Sequence, residues 1–409
     1  MNSPSTTTRF PWLFVMTAAL ILLITMGARQ TIGLFVAPLD KATGLGIVSI
    51  SLAVAIGQFI WGFAQPVFGA VADRYGPGRV IAFGGIMLAL GTAVTPFVQS
   101  EWQLVAALGV VSAFGAGAGS LAILIGAIMQ RMAGDGRSLA AGIINAGGSL
   151  GQFVFAPLVQ AAIFGVGWVG AMVGVAGATL LTIPLAFMMR RRGGASAHTT
   201  VATVPTISLR QQLREAAAER SYWWLQLGFF TCGFHVAFLV THLPGEVALC
   251  GLSPVISANA IAIIGLANVA GSLGAGWLGT RYRMKHLLFW IYGGRAAAIL
   301  CFMLAPKTAL TFYIFATALG VTWLATLPPT AGLVGKLFGT RHLSMLIGLT
   351  MLSHQLGAFY GAWLGGVAVA HMGNYNWMFY ADAALAAFAA LINLPIREAP
   401  VVRPAAATA

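Results

Sequence analysis

Charge is what this chain has least of. Only 8% of its 409 residues are Asp, Glu, Lys or Arg, against about a quarter in a soluble globular domain, and that shortage excludes a water-exposed fold of this length. Acids are scarcer than bases, nine against 22. Cysteine is nearly absent too: Cys232, Cys250 and Cys301 have neither metal-ligand nor disulfide spacing and read as packing residues. The seven histidines form no group with ligand spacing, so no metal and no cofactor is expected. No paired nucleophile and base sits at a depth that would make an enzyme.

What the chain has instead is apolar sequence, 59% of it. Twelve runs approach or exceed the roughly 20 residues that a hydrocarbon core requires: about 12–38, 46–71, 79–99, 102–130, 138–163, 166–189, 222–244, 254–279, 286–305, 308–335, 342–370 and 376–396. The expected class is an all-α membrane protein of twelve transmembrane helices. The first run is too long for a signal peptide and lacks a small-residue cleavage pattern. Residues 1–11 form a short tail rich in Ser and Thr, expected to be disordered.

A net charge of +13 would suit nucleic acid if it were clustered, but it is spread over alternate loops, and no nucleic-acid partner is expected. With a cytoplasmic N-terminus, eighteen basic residues fall on inner segments, Lys41 and Lys307 on outer loops, and Arg29 and Arg295 within the membrane. This is the positive-inside pattern. It predicts a multi-pass protein of the cytoplasmic (inner) membrane with both termini in the cytoplasm; lipid is the surrounding partner, and a monomer is expected.

Arg29 stands out because a permanent charge at bilayer depth is costly and is kept for a bundle interior or a water-filled path. Gly27, Gly33 and Pro38 surround it, residues that loosen a helix where it lines a cavity. Arg295, in Ile291-Tyr-Gly-Gly-Arg-Ala, is expected to be structural, with Tyr292 or nearby carbonyls as partners. Cations without an evident buried carboxylate beside them should attract an anion.

At the inner end of the second run stands Gly69-Ala-Val-Ala-Asp73-Arg74-Tyr-Gly76-Pro-Gly-Arg79. It resembles the G-x-L-a-D-R-x-G-r-R/K loop of the major facilitator superfamily. The resemblance implies two pseudo-symmetric six-helix bundles and an inner gate held by Gly69, Asp73, Arg74, Gly76 and Arg79. A small Gly69 would let two helices touch, and an acid beside arginines makes a breakable ionic latch.

Two such halves should leave an internal repeat. An offset of 206 lays Gly27-Ala-Arg29 on Gly233-Phe-His235, Pro38 on Pro244, Gly142 on Gly348, and Ser149-Leu-Gly151-Gln-Phe153 on Gln355-Leu-Gly357-Ala-Phe359. At 207 the loop recurs as Gly276-Trp-Leu-Gly-Thr280-Arg281-Tyr282, without its acid. The domains expected are residues 1–189, a cytoplasmic linker 190–221 whose second part is an amphipathic helix on the membrane surface, and residues 222–409.

In the family this resembles, helices 1 and 7, 4 and 10, and 5 and 11 surround a central cavity. His235, as the repeat partner of Arg29, and His354-Gln355 would bring further nitrogen donors there. Gln30, Gln58 and Asn145, with Trp323 and Thr326 beside the Pro328-Pro329 break, complete the candidate substrate site. His235 and His354 are the candidate proton carriers, because imidazole titrates near neutrality. A structural hydrogen bond is the competing reading for each histidine and for Gln58, and packing is the competing reading for Trp323.

Arg29-Gln-Thr-Ile-Gly-Leu-Phe35 and the Gly-rich fifth helix ending in Pro157 are similar to the monocarboxylate and oxalate/formate branch of that superfamily. The branch's Arg, often with an Asp one turn before it, in helix 8 is here Ser272 and Asn268. The reading that follows is a secondary transporter of a small organic anion, a mono- or dicarboxylate, working by alternating access with protons or by anion exchange. An exporter of drugs or other amphipathic compounds and a non-transporting membrane sensor are the alternatives.

Overall fold

A computed structural model describes residues 11–129, 136–189, 209–339 and 343–401, which are helical nearly throughout and contain no strand. The first crossing is α1 (Pro11–Gln30) followed by α2 (Gly33–Thr43), interrupted just past Arg29. Then come α3 (Ile47–Tyr75) and α4 (Pro77–Val94). The fourth crossing is pieced together from α5 (Glu101–Leu104), a π-helical stretch Val105–Ser112, α6 (Ala113–Ala118) and α7 (Leu121–Met129). Next, α8 (Gly136–Leu180) supplies two crossings by turning at Gly167, whose φ of +77° favours glycine, and α9 (Thr182–Met188) completes the half.

After the short α10 (Leu209–Ala218), the second half repeats the plan: α11 (Arg220–Leu249), α12 (Pro254–Arg281), α13 (Met284–Leu304), the split pair α14 (Ala309–Thr322) and α15 (Leu327–Phe338), α16 (Leu343–Met372) and α17 (Asn376–Asn393). The split has a plain cause. Pro328 and Pro329 lack the N–H that would bond back to the preceding turn, so the helix restarts there instead of running through.

The internal repeat is visible in the packing. A Cβ placed on Gly151 of α8 would lie 2.1 Å from the Leu23 carbonyl oxygen of α1, and one on Gly357 of α16 would lie 1.9 Å from that of Phe230 in α11. The same small residue, 206 positions on, lets the same pair of crossings touch backbone to backbone. In lipid, where apolar side chains gain little by leaving their surroundings, such close contact is what holds helices together.

The two bundles meet on the side away from the termini. A Cβ on Gly33 of α2 would fall 2.1 Å from the Val240 carbonyl of α11, and one on Gly366 of α16 would fall 2.3 Å from Ser51 Oγ of α3. Mid-depth, Gly62 of α3 packs on Gln355, and Gly265 of α12 packs on Ser149 and Phe153. Toward the termini, Gly69, Gly142, Gly276 and Gly348 have open space instead: among the described residues no atom lies within 4 Å of a built Cβ.

Three sequence expectations need correction or restriction. Among the described residues no atom lies within 4 Å of a Cβ built on Gly69, so the helix contact expected of it is not formed by them. The apolar side of the linker helix α10 is turned to protein: Ala216 is buried with Tyr222, Leu225, Leu337 and Phe338 of the second bundle, and Leu213 packs against them. The rest of the expected linker, residues 190–208, and the tail, residues 1–10, lie outside the described residues.

Replacing Gly151 or Gly357 by alanine is expected to destabilise the protein by about 2 kcal/mol through overpacking, while Gly142→Ala, with open space around it, is expected to be neutral. Thermal unfolding of the purified protein in detergent checks this; equal melting temperatures for all three would refute the packing account.

Candidate substrate site

The loop motif builds the α3–α4 turn. Gly76 takes a φ of +89° and Pro77 opens α4, so the chain reverses without a side-chain clash. Arg74 and Arg79 are exposed, with the Arg74 guanidinium 5.3 Å from the Tyr75 ring centre. The Asp73 side chain lies outside the described set, so the latch remains an expectation. In the second half, Arg281 instead covers the Trp277 ring at 4.2 Å.

Arg29 points into a cavity of about 60 Å³ inside the first bundle, lined also by Ile32, Phe35, Gln58, Thr92, Ser112 and Met172. One guanidinium nitrogen donates to Gln58 Oε1, and the group lies over the Trp61 ring, 4.1 Å from its centre. Both partners are uncharged, and among the described residues no carboxylate pairs with Arg29. The charge is therefore held by a neutral hydrogen bond and by the ring's quadrupole. Trp61 escaped sequence reasoning, although it stands one helical turn after Gln58 and so on the same face.

The cavity lies behind the seam between the bundles. Val54, Ile32 and Leu108, which line it, also pack with Ala237 of α11 and Ala358 and Ala362 of α16. Gln355 reaches that seam and covers Gly62, one turn from Gln58. Close by, the fourth crossing is π-helical over Val105–Ser112, a distortion often found at functional positions.

The other expected site residues go elsewhere. His235 is fully buried, and its Nδ1 lies 2.5 Å from Asp382 Oδ2 of α17. A carboxylate occupies its Nδ1, and the residue does not line the cavity around Arg29. Trp323 is also fully buried, edge-on to His235 with ring centres 5.5 Å apart, and Thr326 is sealed beside Cys232 Sγ at 3.4 Å. His354 packs on the Phe229 ring and lies 3.3 Å from Gln355 Nε2. Gln30 is buried and Asn145 half-buried, neither lining the cavity. The reason is common to them: offset and depth place a residue along a helix, whereas the side it faces depends on which helices pack around it.

Asn268 and Ser272, where the branch pattern has ionisable residues, prove to be structural connectors. Asn268 Nδ2 donates to Ser149 Oγ across the seam at 2.9 Å. Its Oδ1 accepts from Ser272 and from the Leu324 backbone N–H at the α14–α15 break. Arg295 donates from the other side to the carbonyls of Thr322 and Trp323, the latter at 3.0 Å. The expected carbonyl partners of Arg295 are thus present, and they belong to the break.

Comparison with known proteins supplies the family. The model of the Major Facilitator Superfamily matches residues 18–324 and 251–409. The chain belongs to the major facilitator superfamily. Monocarboxylate transporter 13 of Rattus norvegicus is 25% identical over 389 residues, covering 94% of this chain and 89% of that protein. The oxalate:formate antiporter of Oxalobacter formigenes is 24% identical over 374 residues, covering 90% and 86%. Among solved structures, an inward-facing, occupied bacterial homologue of the human lysosomal transporter Spinster superposes with a TM-score of 0.71 at 14% identity, covering 95% of each chain. A D-xylose–proton symporter gives 0.71 at 13%, covering 95% and 98%. These structural likenesses show the fold, two six-helix bundles, and membership of the family makes the chain a multi-pass membrane protein.

Within this major facilitator fold the seam bond between Asn268 and Ser149 can be weighed directly. A double-mutant cycle of Asn268→Ala with Ser149→Ala is expected to give a coupling of about 0.6 kcal/mol in thermal or denaturant unfolding; additive effects of the two changes would show that the bond contributes nothing.

Proposed function

We propose that this transporter carries a small organic anion, a mono- or dicarboxylate, with Arg29 as its anchor. The observation that carries the reading is a guanidinium inside the membrane, facing a cavity, with only neutral partners among the described residues. Gln58 engages one nitrogen, which leaves further N–H donors to meet both oxygens of a carboxylate in a fork-to-fork contact. Thr92 and Ser112 add hydroxyls, and the apolar remainder, Ile32, Phe35, Met172 and Val175, suits a short hydrocarbon chain.

The monocarboxylate and oxalate:formate relatives support the same substrate class. The cavity's place behind the seam suits alternating access, since parting of the bundles on one side and then the other would expose it in turn. The basic residues on alternate loops favour a cytoplasmic membrane with both termini inside. Residues 1–189 and 222–409 are the two moving units of this scheme. Transport is coupled to protons or to exchange of a second anion.

Counterflow in proteoliposomes against labelled mono- and dicarboxylates tests the proposal. Arg29→Gln is expected to lower carboxylate counterflow by about ten- to a hundredfold, the size of a lost charge-assisted hydrogen bond, with folding unchanged. Trp61→Ala is expected to weaken uptake by a smaller factor of about threefold, matching an exposed-to-partly-buried cation–π contact. Wild-type rates in Arg29→Gln, or counterflow of lipophilic cations alone, would overturn the reading.

A further inference from the structure

The second bundle holds a charged cluster that the anion cavity does not use. His235 on α11 and Asp382 on α17 are about 1% exposed or less, and their Nδ1 and Oδ2 atoms lie 2.5 Å apart. Two lone pairs at that distance would repel, so a proton lies between them. The Trp323 ring stands edge-on to His235, and buried Arg295 of α13 holds the carbonyls of Thr322 and Trp323. Cys232, one turn before His235, meets Trp323 O at 3.6 Å and Thr326 Oγ1 at 3.4 Å.

The cluster is also incompletely paired. Among the described residues, His235 Nε2, Asp382 Oδ1, Arg295 Nε and Nη1 and Trp323 Nε1 are buried with no protein group as hydrogen-bond partner. Buried polar atoms left unmatched cost about 1–3 kcal/mol each, and donors and acceptors orphaned together can satisfy one another only if the cluster rearranges or its proton count changes. With His235 neutral the group is balanced, one Arg against one Asp; one more proton makes it a net cation in a low-dielectric interior.

We propose that the His235–Asp382 pair is a proton-binding site and that its occupancy sets the geometry of the α14–α15 break. The proton comes from bulk water and settles on the His235–Asp382 pair. Residues 322–324 form the output. Arg295 grips their carbonyls from one side, while Asn268 grips the Leu324 N–H from the other and itself bonds Ser149 of the first bundle. A change of charge at Asp382 alters the pull on Arg295, and a shift of the break passes through Asn268 to the seam.

Other ionisable groups around the pair are few. The elements bring Tyr292 and Arg295 from α13, Cys232 and, farther out, His242 and Glu246 from α11 itself, and His354 from α16. On α12, α14, α15, α2 and α3 the ionisable residues are Arg281, Tyr313, Lys336, Asp40 with Lys41, and Asp73 with Arg74 and Tyr75, away from the depth of His235. The proposal rests on the transporter reading above and names its coupling ion.

Two measurements keep it separable from that reading. In substrate-free proteoliposomes, infrared difference spectra between about pH 5 and pH 8 are expected to show a carboxyl or imidazole titration that vanishes in both Asp382→Asn and His235→Gln and survives in Arg29→Gln. A wild-type protein without such a step, or a step unchanged in both variants, overturns the proton site whatever the substrate. In transport, folded Asp382→Asn and His235→Gln are expected to lose accumulation driven by a pH gradient by about tenfold, within the usual range of coupling between sites, while keeping carboxylate counterflow within about twofold. Equal loss of both activities would mark the pair as structural. If no carboxylate exchanges even in the wild type, the anion reading falls and the infrared result still decides the proton site.

Discussion

A charge in hydrocarbon has to be held by something, and this chain answers that constraint differently in its two halves. Arg29 keeps its charge against an amide and an aromatic face and faces a cavity. Arg295 is buried against backbone carbonyls that a helix break has set free. The first arrangement leaves donors beside a cavity for a ligand; the second commits one nitrogen to the protein's own backbone and leaves Nε and Nη1 sealed in the interior. Two residues of the same type, both within membrane-spanning helices, thus come to opposite uses because of what surrounds them.

Helix interruptions are the common device. The first crossing breaks just past Arg29, the fourth becomes π-helical and breaks again before Leu121, and the tenth breaks between Thr322 and Leu327. Backbone groups freed at such places need partners, since lipid offers none. At the tenth crossing Arg295 and Asn268 provide them, and through Ser149 the repair reaches the other bundle. A local defect in one helix thereby becomes a link between the two halves.

The duplication shows where physics preserves a pattern and where it lets one go. Gly151 and Gly357 kept their shared role because any side chain there would enter a neighbouring backbone. Arg29 and His235 occupy matching positions in the repeat, yet the first faces a cavity and the second bonds Asp382. Helix-to-helix contact tolerates only small residues and is therefore conserved between halves, whereas a polar interior position can be reassigned once a new partner, such as a carboxylate on the twelfth crossing, appears.

The chain's composition and pattern determined on their own that it spans a membrane, roughly where, how many times, and in two related halves, because burial in lipid is read directly from runs of apolar residues and from small residues at fixed offset. They also singled out Arg29 and Gln58, since a charge and an amide at bilayer depth are conspicuous. What the pattern could not specify was direction around each helix axis. Only the packed bundles decided that Trp61 joins Arg29, that His235, Trp323 and Thr326 turn away from the cavity into a sealed cluster with Asp382, and that Asn268 ties the seam. A residue's depth follows from its place along one helix, but its neighbours follow from the rotation of several helices packed together.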